Sequence, residues 1–211
     1  MKSRVRTLCV ALLLPALVGA CNDSLAPGEM ATVEIRLRQT VAPPSEPGAV
    51  DTSLAVDRNA VARLNVVVSE VEFLPADQVG NEADPAAWVP IGLTIPVMVD
   101  LAGLPTEDLS SLLLTSGDVE AGSYSNVRLL VSGSTITFGA EVDLGVLFTF
   151  EVDSTYTVDI PAGDSTGILT NLAVTIDKTS QAINLLFDAD ATFLDVTATD
   201  SGVVNLLPVI R

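Results

Sequence analysis

Alternation of apolar and polar residues is the dominant pattern along this chain, and it predicts β-strands. Val33, Ile35 and Leu37 alternate with charged residues, which is the two-residue period of a strand with one buried face. A longer apolar run over 62–74 has the same character. Further predicted strands, each bounded by Gly, Asp, Ser or Pro, lie at about 88–89, 95–101, 124–132, 134–139, 146–152, 155–160, 170–176, 183–188, 191–198 and 203–210. Because many short strands at this spacing are typical of a sandwich or barrel, we expect an all-β, immunoglobulin- or transthyretin-like β-sandwich.

One segment changes its period and predicts a single short helix. Between 105 and 117, Leu109, Leu112 and Leu113 recur at helical spacing, and Gly117 can end the helix. Acidic residues precede the leucines, as suits the positive end of a helix. We expect this helix to lie over a sheet edge or one end of the sandwich.

A tyrosine-containing turn supports the sandwich. In Glu120-Ala121-Gly122-Ser123-Tyr124, a glycine turns the chain and a tyrosine follows at a strand start. This resembles the tyrosine corner of Greek-key sandwiches, in which the phenol hydroxyl bonds to upstream backbone. The alternative is an ordinary turn followed by a strand tyrosine.

The beginning of the chain has a different composition. Basic residues within the first six positions precede an apolar run over 8–17 and then Val18-Gly19-Ala20-Cys21. This arrangement predicts a secretory signal peptide, and the run is shorter than the roughly 20 residues of a membrane-spanning helix. The last four residues resemble the bacterial lipobox, whose cysteine is acylated and becomes the new N-terminus. Ordinary secretion beside a chance cysteine is the alternative.

Three parts follow from this interpretation: a signal peptide at 1–20, a lipidated tether at 21–29 and one β-sandwich domain at 30–211. Because two or more acyl chains, palmitate for example, hold a protein stably on a bilayer, Cys21 would anchor the domain to a membrane without crossing it. We therefore expect an exported protein of the cell envelope, with the outer membrane or cell surface favoured.

Charge and missing residue types exclude several functions. The chain has 10 basic and 27 acidic residues, so nucleic acid is not an expected partner. It has no histidine, and Cys9 would leave with the signal peptide. Zinc or copper sites built on imidazole or thiolate are thereby excluded, and the usual general bases and nucleophile pairs are missing. We expect no enzyme. The remaining catalytic candidates, ranked last, are a Lys178–Ser180 dyad and a carboxylate-dependent hydrolase.

Calcium is the metal that the composition allows. It takes about six to eight oxygen ligands from carboxylates and carbonyls. Asp188 and Asp190 would fall on one face of a predicted strand, and Asp77 and Asp84 belong to one acidic loop. Solvated acids on turns and strand ends are the alternative, because neither group has EF-hand spacing.

Three further residues are candidates for buried roles. Asp100 and Arg128 are single charges within apolar strand segments, and we hypothesise a structural ion pair between them. Trp88 is interpreted as a packing residue, with a ligand-facing role as the alternative.

Several segments in order are similar to a bacterial domain of unknown function, family 4382, often found in lipoproteins. The matching segments are 64–72, 88–90, 99–101, 121–129, 186–190 and 207–211. The resemblance supports the fold and implies no activity. The expected function is a lipid-anchored, non-enzymatic binding or structural module, adhesion included, with an envelope protein or glycan as partner. A calcium- or glycan-binding surface protein is the alternative.

Overall fold

The computed structural model describes residues 28–40, 56–93, 95–143, 148–161, 167–193, 196–199 and 202–211. The expected signal peptide, Cys21 and most of the tether lie outside these residues, as do 41–55 of the loop that follows the first strand.

The described chain is mostly β-strand, as the alternating pattern predicts. The strands are β1 (Met30–Gln39), β2 (Val61–Pro75), β3 (Val89–Ile91), β4 (Val97–Asp100), β5 (Leu112–Glu120), β6 (Gly122–Phe138), β7 (Val142–Asp143), β8 (Thr149–Phe150), β9 (Thr155–Asp159), β10 (Ile168–Thr170), β11 (Val174–Ile176), β12 (Gln181–Asp188), β13 (Thr197–Ala198), β14 (Val204–Asn205) and β15 (Val209–Ile210). One short helix, α1 (Ala189–Thr192), follows β12 directly. Single 3-10 turns are formed by Arg58–Ala60, Ala76–Gln78, Pro85–Ala87 and Asp108–Ser110.

Two main sheets form a sandwich-like fold. The smaller sheet has the order β15-β12-β1-β5, with β1 parallel to β12 and antiparallel to β5. The larger sheet is built on the long antiparallel pair of β2 and β6 and has the order β13-β14-β9-β6-β2-β3. In the same sheet β4 also pairs with β2, and β10 and β11 pair with β6, while β7 and β8 form a separate two-stranded ribbon. The predicted all-β sandwich is confirmed.

One apolar core lies between the sheets. Val33, Ile35 and Leu37 on β1 are fully buried in it, together with inward-facing residues of β2 and β6. In β2 the register shifts around Val68 and Glu70, so the face of the strand that meets the core changes parity there. Such bulges add a residue and redirect the side chains that follow.

The predicted helix between 105 and 117 is wrong. Only Asp108–Ser110 forms a helical turn, and the leucines that follow belong to β5. Pairing with β1 and burial of Leu114 and Val119 in the core outweigh the helical spacing of the leucines. Leu109, Leu112 and Leu113 are consequently exposed.

Two strand predictions also need correction. The segments 124–132 and 134–139 are one uninterrupted strand, β6. The predicted strand over 191–198 begins instead as α1, because the Asp188 side chain accepts a hydrogen bond from the Ala191 amide and caps a helical turn.

In the part of the chain that the structure describes, no helix combines the length and the apolar character needed to cross a bilayer.

Candidate functional site

A buried ion pair lies on the outer face of the larger sheet. Glu72 on β2 is directly opposite Arg128 on β6, and the guanidinium Nε of Arg128 donates to the Glu72 carboxylate. The two side chains are only 9% and 5% exposed. A charged pair on this face would ordinarily be in water, so another part of the chain must cover it.

Trp88 provides that cover. Its ring centroid lies 4.1 Å from the central carbon of the Arg128 guanidinium, a cation–π contact. With Leu74 and Ala87 it forms a second, small apolar cluster on the outside of the sheet. The indole Nε1 donates to the Glu82 carbonyl at 3.1 Å, so the polar edge of the ring also has a partner. We call Glu72, Arg128 and Trp88 the charged stack.

The loop that carries Trp88 is shaped by local hydrogen bonds. The Asp84 carboxylate accepts from the Ala86 amide at 2.9 Å and caps the turn that leads into Trp88. Gly80 adopts a φ of 95°, a left-handed conformation that glycine adopts without steric strain. Its amide donates to the Glu82 carboxylate at 2.9 Å, and this bond holds the pKa of Glu82 below its usual range.

The predicted tyrosine corner is present. The Tyr124 hydroxyl donates to the backbone carbonyl of Glu120 at 2.7 Å. The ring packs on Phe73, with 5.3 Å between the two centroids. Burial raises the pKa of the Tyr124 phenol, and the negative charge of Glu120 raises it further.

A cleft of about 690 Å³ separates the Trp88 loop from the tyrosine corner. Its walls include three carboxylic acids, Asp77, Asp84 and Glu120. One oxygen of Glu120 accepts from the Gly28 amide at 2.6 Å, so part of this charge stabilises the start of the described chain. The cleft has acidic side chains among both polar and apolar lining residues, and it lies beside the charged stack.

The hypothesised pair between Asp100 and Arg128 is wrong. Asp100 instead accepts two backbone hydrogen bonds on one oxygen, from Leu64 at 3.0 Å and from Ala102 at 3.1 Å. It therefore fixes the turn that follows β4. Arg128 pairs instead with Glu72, a partner that the sequence pattern does not predict.

The two aspartates near β12 have cationic side chains as neighbours. Asp188 ends β12, caps α1 and forms an ion pair with Arg211 at 2.9 Å. Asp190 lies within α1, so the two do not share a strand face, and its carboxylate is 3.6 Å from Arg58. A cation bound here would have to compete with both arginines.

The other calcium candidates lie at the acidic cleft. Asp77 is on the turn Ala76–Gln78, and Asp84 is the cap described above. Across the residues that the structure describes, no three acidic side chains are grouped closely enough to hold one metal ion. Lys178 forms an ion pair with Glu29 at 2.6 Å.

A family model described as a domain of unknown function, DUF4382, matches residues 49–208. The chain belongs to this family. Comparison with curated proteins and with solved structures gave no match. In this DUF4382 domain, three of the separate segments that carry the resemblance converge in space, because they contribute Glu72, Trp88 and Arg128 to the charged stack.

Proposed function

We propose that this chain is a lipid-anchored, non-enzymatic binding or structural module of the cell envelope. The observation that carries the proposal is Val18-Gly19-Ala20-Cys21, placed directly after a basic and apolar leader. The first strand of the sandwich, β1, begins at Met30, nine positions after Cys21. A chain of that length spans at most roughly 30 Å when fully extended, which is enough to separate a folded domain from a lipid surface.

The charged stack supports a structural role for its residues. Arg128 and Glu72 satisfy each other beneath Trp88, so neither charge is presented to a substrate. The chain has no histidine, and Asp84 and Glu120 at the cleft already accept backbone hydrogen bonds. A sandwich with a complete core suits adhesion or binding, because its loops can vary without disturbing that core.

The alternative proposal is a calcium- or glycan-binding surface protein. It is supported by the acidic lining of the cleft, to which Asp77 and Asp84 contribute carboxylates from neighbouring turns. Thermal unfolding with and without millimolar calcium tests the calcium part of this alternative. A rise in melting temperature that is lost in Asp77→Asn favours calcium binding, whereas an unchanged melting temperature favours the module without metal.

The anchor is tested by expressing the whole chain in a bacterial host, fractionating the cells and determining the mass of the N-terminal peptide. We expect loss of 1–20, a diacyl or triacyl mass on Cys21, and recovery in the membrane fraction. Cys21→Ser should abolish both the acyl mass and membrane recovery. Cys9→Ser, a matched change within the leader, should leave both intact. An unmodified Cys21 or a retained leader would contradict the proposal.

A further inference from the structure

The first strand of the domain, β1, is an interior strand of the smaller sheet. It lies between β5 and β12, antiparallel to β5 and parallel to β12. Every second residue from Ala31 to Leu37 is buried in the core, and none of these is more than 3% exposed. We call the space between β5 and β12 the acceptor groove. Without a strand in it, β5 and β12 would each have an open edge, which is a ready template for another strand.

β1 is held in the acceptor groove by contacts that are distant in sequence. Its partners are residues 112–120 and 181–187, whereas the next strand along the chain, β2, belongs to the larger sheet. Residues 41–55 lie between β1 and the rest of the described domain in the sequence. The part that matches the DUF4382 family, 49–208, contains both walls of the groove and does not contain β1. The groove and the strand that fills it are therefore separate pieces of one chain.

Charge favours β1 as the occupant of the acceptor groove. β1 has two arginines and one glutamate, whereas residues 56–211 have 5 basic and 22 acidic residues. Two acids next to the groove contact the strand directly. The Arg38 guanidinium lies 2.5 Å from the Asp108 carboxylate, and the Thr32 hydroxyl donates to Asp118 at 2.8 Å. A strand of this charge is attracted to the acceptor groove of any copy of the chain.

Two acidic domains can exchange strands without lying against each other. The fifteen residues 41–55 reach at most roughly 50 Å when fully extended. At physiological ionic strength, the repulsion between exposed charges is screened beyond about 8 Å. The negative charge of the two domains therefore does not oppose an exchange in which the donated strand is the whole interface.

A strand from a second copy makes the same contacts as the chain's own strand. The register on β5 and β12, the buried side chains and the hydrogen bond between Thr32 and Asp118 are all reproduced. The interface is consequently as complete as the interior of the domain. Only the concentration term differs, because a flexible connection gives the chain's own β1 an effective concentration of about 1 mM.

We propose that two copies of this chain exchange β1, each strand filling the acceptor groove of the other copy. The pair is symmetric, and such a swap is a route to a dimer that needs no new surface. The exchanged form competes with the closed monomer once the chain concentration approaches about 1 mM. At micromolar concentration the closed monomer predominates.

The proposed anchor would bring the chains to such concentrations. β1 begins nine positions after Cys21, so lipid on Cys21 confines β1 of every copy to one thin layer at the membrane. Neighbouring domains would then be joined in pairs by strands that remain next to their anchors. This consequence rests on the proposed anchor, whereas the exchange in solution does not.

Cysteine cross-linking between copies tests the exchange. Thr32 and Asp118 are directly opposite and their side chains are in contact, so cysteines at these two positions can form a disulfide. Mature chains with Cys21→Ser carry one further change, either Thr32→Cys or Asp118→Cys. The two variants are unfolded together in urea, refolded at about 1 mM or about 10 μM, then diluted and oxidised. A disulfide between the variants reports β1 of one copy beside β5 of the other.

A matched mixture measures random cross-linking. It contains Val79→Cys, at a position 61% exposed, in place of Asp118→Cys. We expect the disulfide between Thr32→Cys and Asp118→Cys to exceed this control about tenfold at the higher refolding concentration and to approach it at the lower one. Circular dichroism verifies folding, and Glu34→Cys with Ser116→Cys, the next outward-facing pair, replaces a variant that does not fold. Equal cross-linking in the two mixtures at both concentrations would overturn the exchange.

A locked chain provides the second test. Thr32→Cys and Asp118→Cys are placed in one chain with Cys21→Ser, and oxidation at about 10 μM ties β1 to its own β5. After unfolding and refolding at about 1 mM, sedimentation velocity should find a monomer for the locked chain and a dimer for the reduced chain. A dimer of the locked chain would place the association elsewhere and overturn the exchange, as would a monomer of the reduced chain. Because position 21 is serine throughout, absence of lipid on native Cys21 would contradict the proposed anchor and leave these results valid.

Discussion

Arg128 and Glu72 are direct cross-strand neighbours, and their ion pair is buried beneath the ring of Trp88. Removing two charges from water is costly, so such a pair adds little net stability compared with apolar residues of similar size. Its effect on register is clearer. β2 and β6 pair with four register shifts. In a slipped alignment Glu72 and Arg128 would not be opposite each other, and each charge would be buried without its partner. The ion pair therefore disfavours slipped alignments of the two strands.

Breaking the ion pair should strongly destabilise the fold. Arg128→Met leaves the Glu72 carboxylate buried without a partner, and we expect the free energy of unfolding to fall by about 3–5 kcal/mol. Urea denaturation followed by circular dichroism measures this. The double variant Arg128→Met/Glu72→Met should recover most of the loss. Arg63→Met, at an exposed arginine on β2, the strand of Glu72, is the control. If Arg128→Met changed stability no more than Arg63→Met, the pair would have no structural role.

Trp88 should contribute through its aromatic face as well as its volume. Trp88→Leu removes the cation–π contact with Arg128 and the hydrogen bond to the Glu82 carbonyl. Because the contact is desolvated, we expect a loss of about 2 kcal/mol or more in the free energy of unfolding, measured by urea denaturation. Trp88→Phe keeps an aromatic face and should lose less. Equal losses for Trp88→Leu and Trp88→Phe would show that the aromatic face of Trp88 adds no stability beyond that of an apolar side chain.

Local alternation predicts the strands whose faces meet core and water. β1 is the clearest example, because every second residue from Val33 to Leu37 is buried. The tyrosine corner was also predictable, since Tyr124 and Glu120 are four positions apart and the turn between them is short. In both cases the structure is determined by neighbours in sequence.

Long-range contacts explain what the pattern does not predict. Glu72 and Arg128 are 56 positions apart. The alternation of apolar and polar residues predicts where strands lie but not which strands pair with each other. The same reason accounts for the error at Asp100, whose partners are backbone amides. At Leu112 and Leu113, pairing with β1 overrides the helical spacing. A signal for Glu72 was present, because two charges embedded in different long apolar strands suggest cross-strand partners.

Asp100 should stabilise the turn after β4 independently of Arg128. Asp100→Ala leaves the amides of Leu64 and Ala102 without their acceptor, and we expect a loss of about 1–3 kcal/mol in the free energy of unfolding. Asp100→Asn retains a side-chain oxygen and should lose less. Amide hydrogen exchange should accelerate at Leu64 and Ala102 specifically. The losses in unfolding free energy for Asp100→Ala and Arg128→Met should be additive in the double variant. Strong non-additivity would indicate that the two residues are directly coupled.

Tyr124 should link stability to alkaline pH. Tyr124→Phe removes the hydrogen bond to the Glu120 carbonyl and should lower the free energy of unfolding by about 0.5–1.5 kcal/mol at neutral pH. Burial, and then the charge of Glu120, raises the pKa of the Tyr124 phenol in the folded state. Above about pH 10 the folded protein therefore retains a phenol proton that the unfolded chain loses. The contribution of neutral Tyr124 to the free energy of unfolding is complete below about pH 10. It decreases as the pH rises above that value.

Denaturation curves across that pH range measure the effect, and the decrease should be smaller in Tyr124→Phe. The chain has two tyrosines, so Tyr156→Phe leaves Tyr124 as the one phenol whose ionisation is followed by ultraviolet absorbance. Titration of that phenol at or below pH 10 in the folded protein would contradict the burial of Tyr124 at the corner. A pH dependence unchanged by Tyr124→Phe would assign the alkaline loss to another group.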